Sequence, residues 1–256
     1  MSLSANKWSD LRARVLSALV LVLVGAAAIW LGGIWFHVFV ALVGGGMMWE
    51  LTRMLGGGPK VAIPIGALAG VAMVCVPYVP WEFKLPVLLA VTFAGVSQLK
   101  KDRLIYLAYG SALMLSCYGL IVLRDVRGIY WVLWLVSVVV ATDVAGYFAG
   151  RTLGGPKFWP KVSPKKTWSG TVAGWIAAAG VGLVFGGLPL VVLSMLTSLA
   201  SQMGDAAESA IKRRSGVKDS SDLIPGHGGL LDRFDAMMAG ALFVLLLGAV
   251  LGLPAL

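Results

Sequence analysis

Nine apolar runs leave this chain few ways to fold. They fall at roughly 15–32, 34–54, 61–80, 84–99, 104–123, 129–149, 170–186, 188–204 and 236–253. In lipid no water pairs with exposed backbone groups, so each run must satisfy its own N–H and C=O groups as a helix. Several runs are shorter than the ~20 residues that cross a ~30 Å hydrocarbon core untilted. The pattern predicts an all-α, polytopic membrane protein with about nine transmembrane helices. With 59% hydrophobic and 13% charged residues, no stretch is polar enough for a separate soluble domain. A single membrane-embedded domain over 1–256 is expected, with N-terminal helices in 1–142 and a catalytic region in 143–256. The first run lacks a small-residue cleavage site before the next span and reads as a retained helix. Residues 1–14, with Lys7, Arg12 and Arg14 beside Trp8 and Leu11, read as a short interfacial helix. Cys75 and Cys117 sit inside apolar runs and behave as small hydrophobes.

The net charge of +9 narrows the partners to nucleic acid, anionic lipid headgroups or a phosphorylated substrate. Nucleic acid is excluded, because no soluble basic face exists to carry it. Basic residues also set orientation. With the N-terminus inside, alternate loops leave only Lys84, Arg124 and Arg127 of the 21 Lys and Arg outside. The expected topology is therefore N-in/C-out, with the polar loops 150–169 and 205–235 on one cytoplasmic face.

Charge is concentrated in 201–235, which holds Asp205, Glu208, Asp219, Asp222, Asp232 and Asp235 among the chain's 12 acidic residues. Interleaved with them are Lys212, Arg213, Arg214, Lys218 and Arg233. Carboxylates at helical spacing grip a hard cation, and Lys and Arg hold phosphate oxygens. Asp205, Glu208 and Lys212 fall at i, i+3 and i+7, on one face of a continuing helix. Asp232 and Asp235 repeat the i, i+3 spacing where the last run opens. Two such pairs at facing helix ends suit one or two Mg²⁺ ions; N-terminal capping explains Asp232 and Asp235 equally well. Between the pairs, Pro225-Gly226-His227-Gly228-Gly229 lets backbone amides approach a ligand. His227 suits metal, phosphate or a structural hydrogen bond. In the other loop, Asp143, Tyr147, Gly150 and Arg151 precede Ser163-Pro164-Lys165-Lys166-Thr167-Trp168. Lys165, Lys166 and Thr167 come just before a helix, where free amides also favour an anion. Asp143 and Glu50 lie inside apolar runs, where an unpaired charge is costly. Structural pairing with an Arg or Lys is expected for Glu50.

The pattern Ser209-x-Ile211-Lys212-Arg213-x4-Lys218-Asp219-x-Ser221-x2-Ile224-Pro225-x-His227-Gly228-Gly229-Leu230-x-Asp232-Arg233-Phe234-Asp235 resembles the signature of the phosphatidate cytidylyltransferase (CDP-diacylglycerol synthase) family throughout. The Ser-Pro-Lys-Lys-Thr-Trp and Asp143-x3-Tyr147-x2-Gly150 segments are similar to that family's cytoplasmic motifs. The similarity covers about 143–235; the N-terminal half matches only as membrane helices with a Trp49-Glu50 pair. Ser169 stands where the family often has Glu, and it is assigned no role. The resemblance implies CTP plus phosphatidate giving CDP-diacylglycerol and pyrophosphate, with divalent metal, at the bacterial inner membrane. A homodimer is the expected assembly. Catalytic candidates are Asp205, Asp232, Lys212, Arg213, Lys218 and Asp219. Substrate-binding candidates are Ser163, Lys165, Lys166, Thr167, Tyr147, His227, Gly228, Gly229 and Arg233. Candidate metal ligands are Asp205, Asp232, Asp235, Glu208 and Asp143. Phosphatidate, with a second phosphate pKa of ~6, is already largely a nucleophilic dianion. The reaction therefore needs charge neutralisation more than a strong base. A CTP-dependent lipid kinase is the nearest alternative. An ion or phosphate transporter is a further one, but it predicts internal repeats and a mid-membrane site.

Overall fold

The computed structural model describes residues 3–160 and 162–251. Among them run the helices α1 (Leu3–Leu31), α2 (Gly33–Met54), α3 (Pro59–Cys75), α4 (Trp81–Gln98) and α5 (Arg103–Val122). They are followed by α6 (Ile129–Thr152), α7 (Trp168–Gly186), α8 (Leu188–Arg214) and α9 (Leu231–Val250). The all-α polytopic class is as expected. Eight of these helices are long and apolar enough to span a membrane; α4, with Glu82, Lys84 and Pro86 in its first two turns, is not among them. The interfacial helix expected at the N-terminus is continuous with the first span in α1. The side chains of Lys7, Trp8, Leu11 and Arg12 lie outside the described residues.

The chain forms two compact units. One takes the residues up to Ile121 together with Val217–Arg233; the other takes Val122–Gly216 and the residues from Phe234 onward. The expected 142/143 division runs through α6.

In the first unit, α2 packs on α3 at backbone distance. A Cβ on Gly45 would lie 2.7 Å from the Gly66 carbonyl oxygen, and one on Gly66 would lie 2.8 Å from that of Gly45. Small residues are what let helices meet this closely where the surrounding solvent is lipid. Tyr106 is fully buried, and its hydroxyl meets that of Thr52 at 3.0 Å. In the second unit, α7 packs on α6 and α8. A Cβ on Gly170 would come within 2.6 Å of the Gly146 carbonyl, so α6 and α7 also touch through glycine. Trp134 Nε1 donates to Ser194 Oγ at 2.9 Å, and Thr142 Oγ1 donates to Ser198 Oγ at 2.8 Å. These buried bonds fix the register of α8 against α6.

Three features depart from expectation. Helix α8 runs on to Arg214 instead of ending near 204, and α9 starts at Leu231 instead of 236. Asp205 is therefore inside a helix and not at its end. The ion pair Glu208–Lys212 at i, i+4 supports the extension, and Lys212, Arg213 and Arg214 complement the negative end of the helix. Within the expected loop 150–169, strands β1 (Lys157–Trp159) and β2 (Ser163–Thr167) pair as an antiparallel hairpin. Thr167 then caps α7, its Oγ1 accepting from Gly170 N at 3.2 Å.

The glycine contact yields a prediction. Gly66→Val should force α2 and α3 apart and destabilise the protein by about 1–3 kcal/mol or more, as overpacking does. A thermal melt in detergent that matches the parent chain would refute the close-packing argument.

Candidate active site

In the second unit, the ends of α6 and α7, the β-hairpin and the middle of α8 enclose a cavity of about 520 Å³. Its lining includes Asp143, Tyr147, Arg151, Lys165, Lys166, Thr167, Gln202 and Asp205. The central contact is an ion pair. Lys166 Nζ lies 2.6 Å from Asp205 Oδ2 and also donates to the Gln202 carbonyl at 3.2 Å. Both side chains keep partial solvent access, at 25% and 36% exposure, so the pair lies open to a ligand.

Gln202 is one turn before Asp205 on α8. Its Oε1 accepts from Trp175 Nε1 at 3.1 Å, while its Nε2 donates to the Thr171 carbonyl at 3.2 Å. These bonds tie α8 to α7 beneath the ion pair. Gln202 escaped the sequence reading, although its i, i+3 relation to Asp205 was a usable signal. Ser209 Oγ donates to Asp205 Oδ1 at 3.3 Å. At the rim, Arg151 Nη1 donates to the Tyr147 hydroxyl at 2.8 Å. Ser169 Oγ donates to the Gly154 carbonyl and so closes the base of the hairpin.

Asp143 and Asp235 each feel the charge of Asp205. Lys166 acts on Asp143, and Lys212 on Asp235. Glu208, only 1% exposed, is held by Lys212 at 2.5 Å. These are hard oxygen donors, the chemistry that Mg²⁺ prefers. Among the described residues, however, no three His, Cys, Asp or Glu gather so that they could hold a metal ion by themselves. The donor set fits a cation whose coordination is completed by water and phosphate oxygens.

A separate polar cluster organises the first unit. Glu50 on α2 is completely buried. Its Oε1 accepts from Ser221 Oγ at 2.6 Å and Leu230 N at 2.9 Å, and its Oε2 accepts from Leu231 N at 2.7 Å. Glu50 thus caps the start of α9 from another helix, where the dipole favours an anion. The cation expected beside it is replaced by hydroxyls and backbone amides. Ser220 Oγ stands 3.2 Å from Glu50 Oε2 and 2.8 Å from Asp232 Oδ2. Asp232 Oδ2 also accepts from Ser220 N and Gly229 N, each at 2.8 Å.

The glycine turn sits inside this network. Gly228 has φ 79°, and a Cβ there would lie 2.7 Å from Asp232 Oδ2. The Gly229 amide, expected to point at a ligand, is already bound to Asp232. His227 Nδ1 meets Ser17 Oγ at 2.8 Å, the structural hydrogen bond among its expected roles. Arg233 Nε donates to the His227 carbonyl at 2.8 Å. Arg213 in the second unit, and Lys218 and Asp219 in the first, are exposed. Ser163 pairs with Trp159 in the hairpin. Asp205 and Asp232, expected to converge from facing helix ends, belong to different units, each with its own described partners. Ser220 also escaped the sequence reading, because its partner Glu50 is 170 positions away.

A membrane-spanning helical chain with this charged cavity belongs to the cytidylyltransferase family, whose model matches residues 12–251, and it is a nucleotidyltransferase enzyme. Proteins named phosphatidate cytidylyltransferase from Brucella suis biovar 1 and Brucella melitensis biotype 1 are each 38% identical to it over 96% of both chains. One of the same name from Helicobacter pylori is 43% identical over 43% of this chain and 44% of its own.

Glu50→Ala should leave the Leu230 and Leu231 amides unpaired, at about 1–3 kcal/mol each. Hydrogen exchange at 217–231 should accelerate well before the helices of the second unit respond. Unchanged protection there would show that Glu50 does not hold the loop.

Proposed function

We propose that this enzyme transfers the cytidylyl group of CTP to phosphatidate, giving CDP-diacylglycerol and pyrophosphate. The Lys166–Asp205 pair, in a cavity otherwise cut into apolar helices, carries this reading, and the names of the relatives support it. A phosphate oxygen of phosphatidate attacks the α-phosphorus of CTP. One P–O bond forms there, and the bond from that phosphorus to the bridging oxygen of pyrophosphate breaks. Phosphatidate brings its own nucleophile, since its second pKa is ~6. What the residues supply is placement and charge balance. Lys165, Lys166 and Arg151 offset the phosphates, with Arg suited to a bidentate grip.

Asp205, with Asp143 or Asp235 as a second carboxylate, would hold Mg²⁺ together with water and phosphate oxygens, and the ion would neutralise charge on the phosphates and the departing pyrophosphate. We place the cavity at the cytoplasmic face of a bacterial inner membrane, where CTP arrives from water and phosphatidate from the bilayer. In this topology α4, about 27 Å long for its 18 residues, is the ninth crossing and the chain is N-in/C-out. Labelling a cysteine at position 157 from outside the cell would overturn that orientation.

The deciding assay gives the purified protein α-labelled CTP with phosphatidate. Label entering the lipid is the expected result; labelled CDP released into water would favour the lipid kinase. Asp205→Asn and Lys166→Ala should each lower kcat by about 10²-fold or more, the scale of removing one group that stabilises transition-state charge. Asp232→Asn is the subtler variant. Asn keeps an oxygen for the Ser220 and Gly229 amides, so lost activity with an intact loop would report on the charge of Asp232 alone. Full activity would return Asp232 to a structural role.

A further inference from the structure

We propose that the second unit holds an anionic phospholipid at a site remote from the transfer cavity, with its phosphate on Arg127. A separate cavity of about 360 Å³ lies where α6 and α8 begin and α9 ends. Its lining includes Arg127, Trp131, Pro189, Leu193, Val244 and Leu247. Asp143 is roughly 12 residues beyond Trp131 on α6, about 18 Å along the axis, so the two cavities occupy opposite ends of this helix.

Several observations converge on Arg127. The α-helical ladder of α5 gives way to a π-helical turn, Leu123–Arg127, closed by Gly128 at φ 88°. Such turns mark functional positions, and this one sets Arg127 in the cavity wall. The Nη2 atom of Arg127 is buried and has no hydrogen-bond partner among the described residues. A guanidinium N–H in that position demands an acceptor, and its planar fork suits phosphate oxygens. Helix α8 starts at Leu188, so the positive end of its dipole lies at the same cavity through Pro189. Trp131 belongs at the headgroup level of a membrane by its amphipathic ring.

The remaining lining is largely aliphatic. A phospholipid meets both halves of this surface, the phosphate at Arg127 and an acyl chain along Leu193, Val244 and Leu247. Inorganic phosphate would satisfy only the cation, and diacylglycerol only the aliphatic wall. The lipid held here bridges three helix ends and supports the unit without taking part in the transfer reaction.

The test uses the full chain in detergent with phosphatidylglycerol as the probe, read by native mass spectrometry. A photoreactive residue at position 193 localises the bound lipid. The parent chain should retain one phospholipid that crosslinks at 193. Arg127→Gln should weaken retention about tenfold, the loss of one charge-assisted contact, while Arg127→Lys keeps most of it. Diacylglycerol and inorganic phosphate should not compete. Equal retention by the parent and Arg127→Gln would overturn the proposal. If Arg127→Gln does not fold, the intact chain decides: crosslinking at 193 that diacylglycerol suppresses as well as phosphatidylglycerol does would overturn it too.

Discussion

A charge placed among membrane helices has no water to turn to, so its partners must be built into the chain. This constraint accounts for much of the polar structure here. Glu50 is wholly buried and meets it with hydroxyls and the first amides of α9. Those amides would otherwise be orphan donors at a helix start. One carboxylate thus resolves two problems, and the chain between Val217 and Leu230 is held to α2 as a consequence.

The Lys166–Asp205 pair obeys the same constraint with a different outcome. Both groups remain partly exposed, so neither is sealed. A fully buried pair has its geometry fixed and offers nothing to a ligand. A half-open pair, backed by Gln202 and Trp175, keeps its orientation while leaving charge available to phosphate or cation. Glycine makes the supporting arrangement possible, since α6 reaches α7 only because neither Gly146 nor Gly170 carries a side chain.

What was legible in the residues follows from the range of the forces involved. Apolar runs report local physics, and the helices came out close to them. Asp205, Glu208 and Lys212 carried the right spacing for one helical face, yet their charge made the segment look like loop, and α8 was expected to stop about ten residues early. The hairpin at Lys157–Thr167 was hidden because its strands are short and paired across a turn, without alternating hydrophobicity to announce them. The partners of Glu50 lie 170 or more positions away, beyond any periodicity argument. Lys166 and Asp205 were both picked out by residue type, but their contact needed the fold.

The charge balance of the candidate cavity also limits what it can accept. Asp143, Asp205 and Asp235 influence one another, while Lys166 is paired to Asp205 and Lys212 is committed to Glu208. The acidic groups therefore outnumber the lysines available to them. Arg151 and Lys165, which also line the cavity, balance that excess, so a nucleoside triphosphate and a lipid phosphate would bring negative charge with no further cation among the described lining residues to meet it. In a medium of low dielectric the uncompensated repulsion between substrate and carboxylates is large. A divalent cation between them would turn the same carboxylates from a barrier into a binding surface, which ties the proposed metal to the proposed substrates.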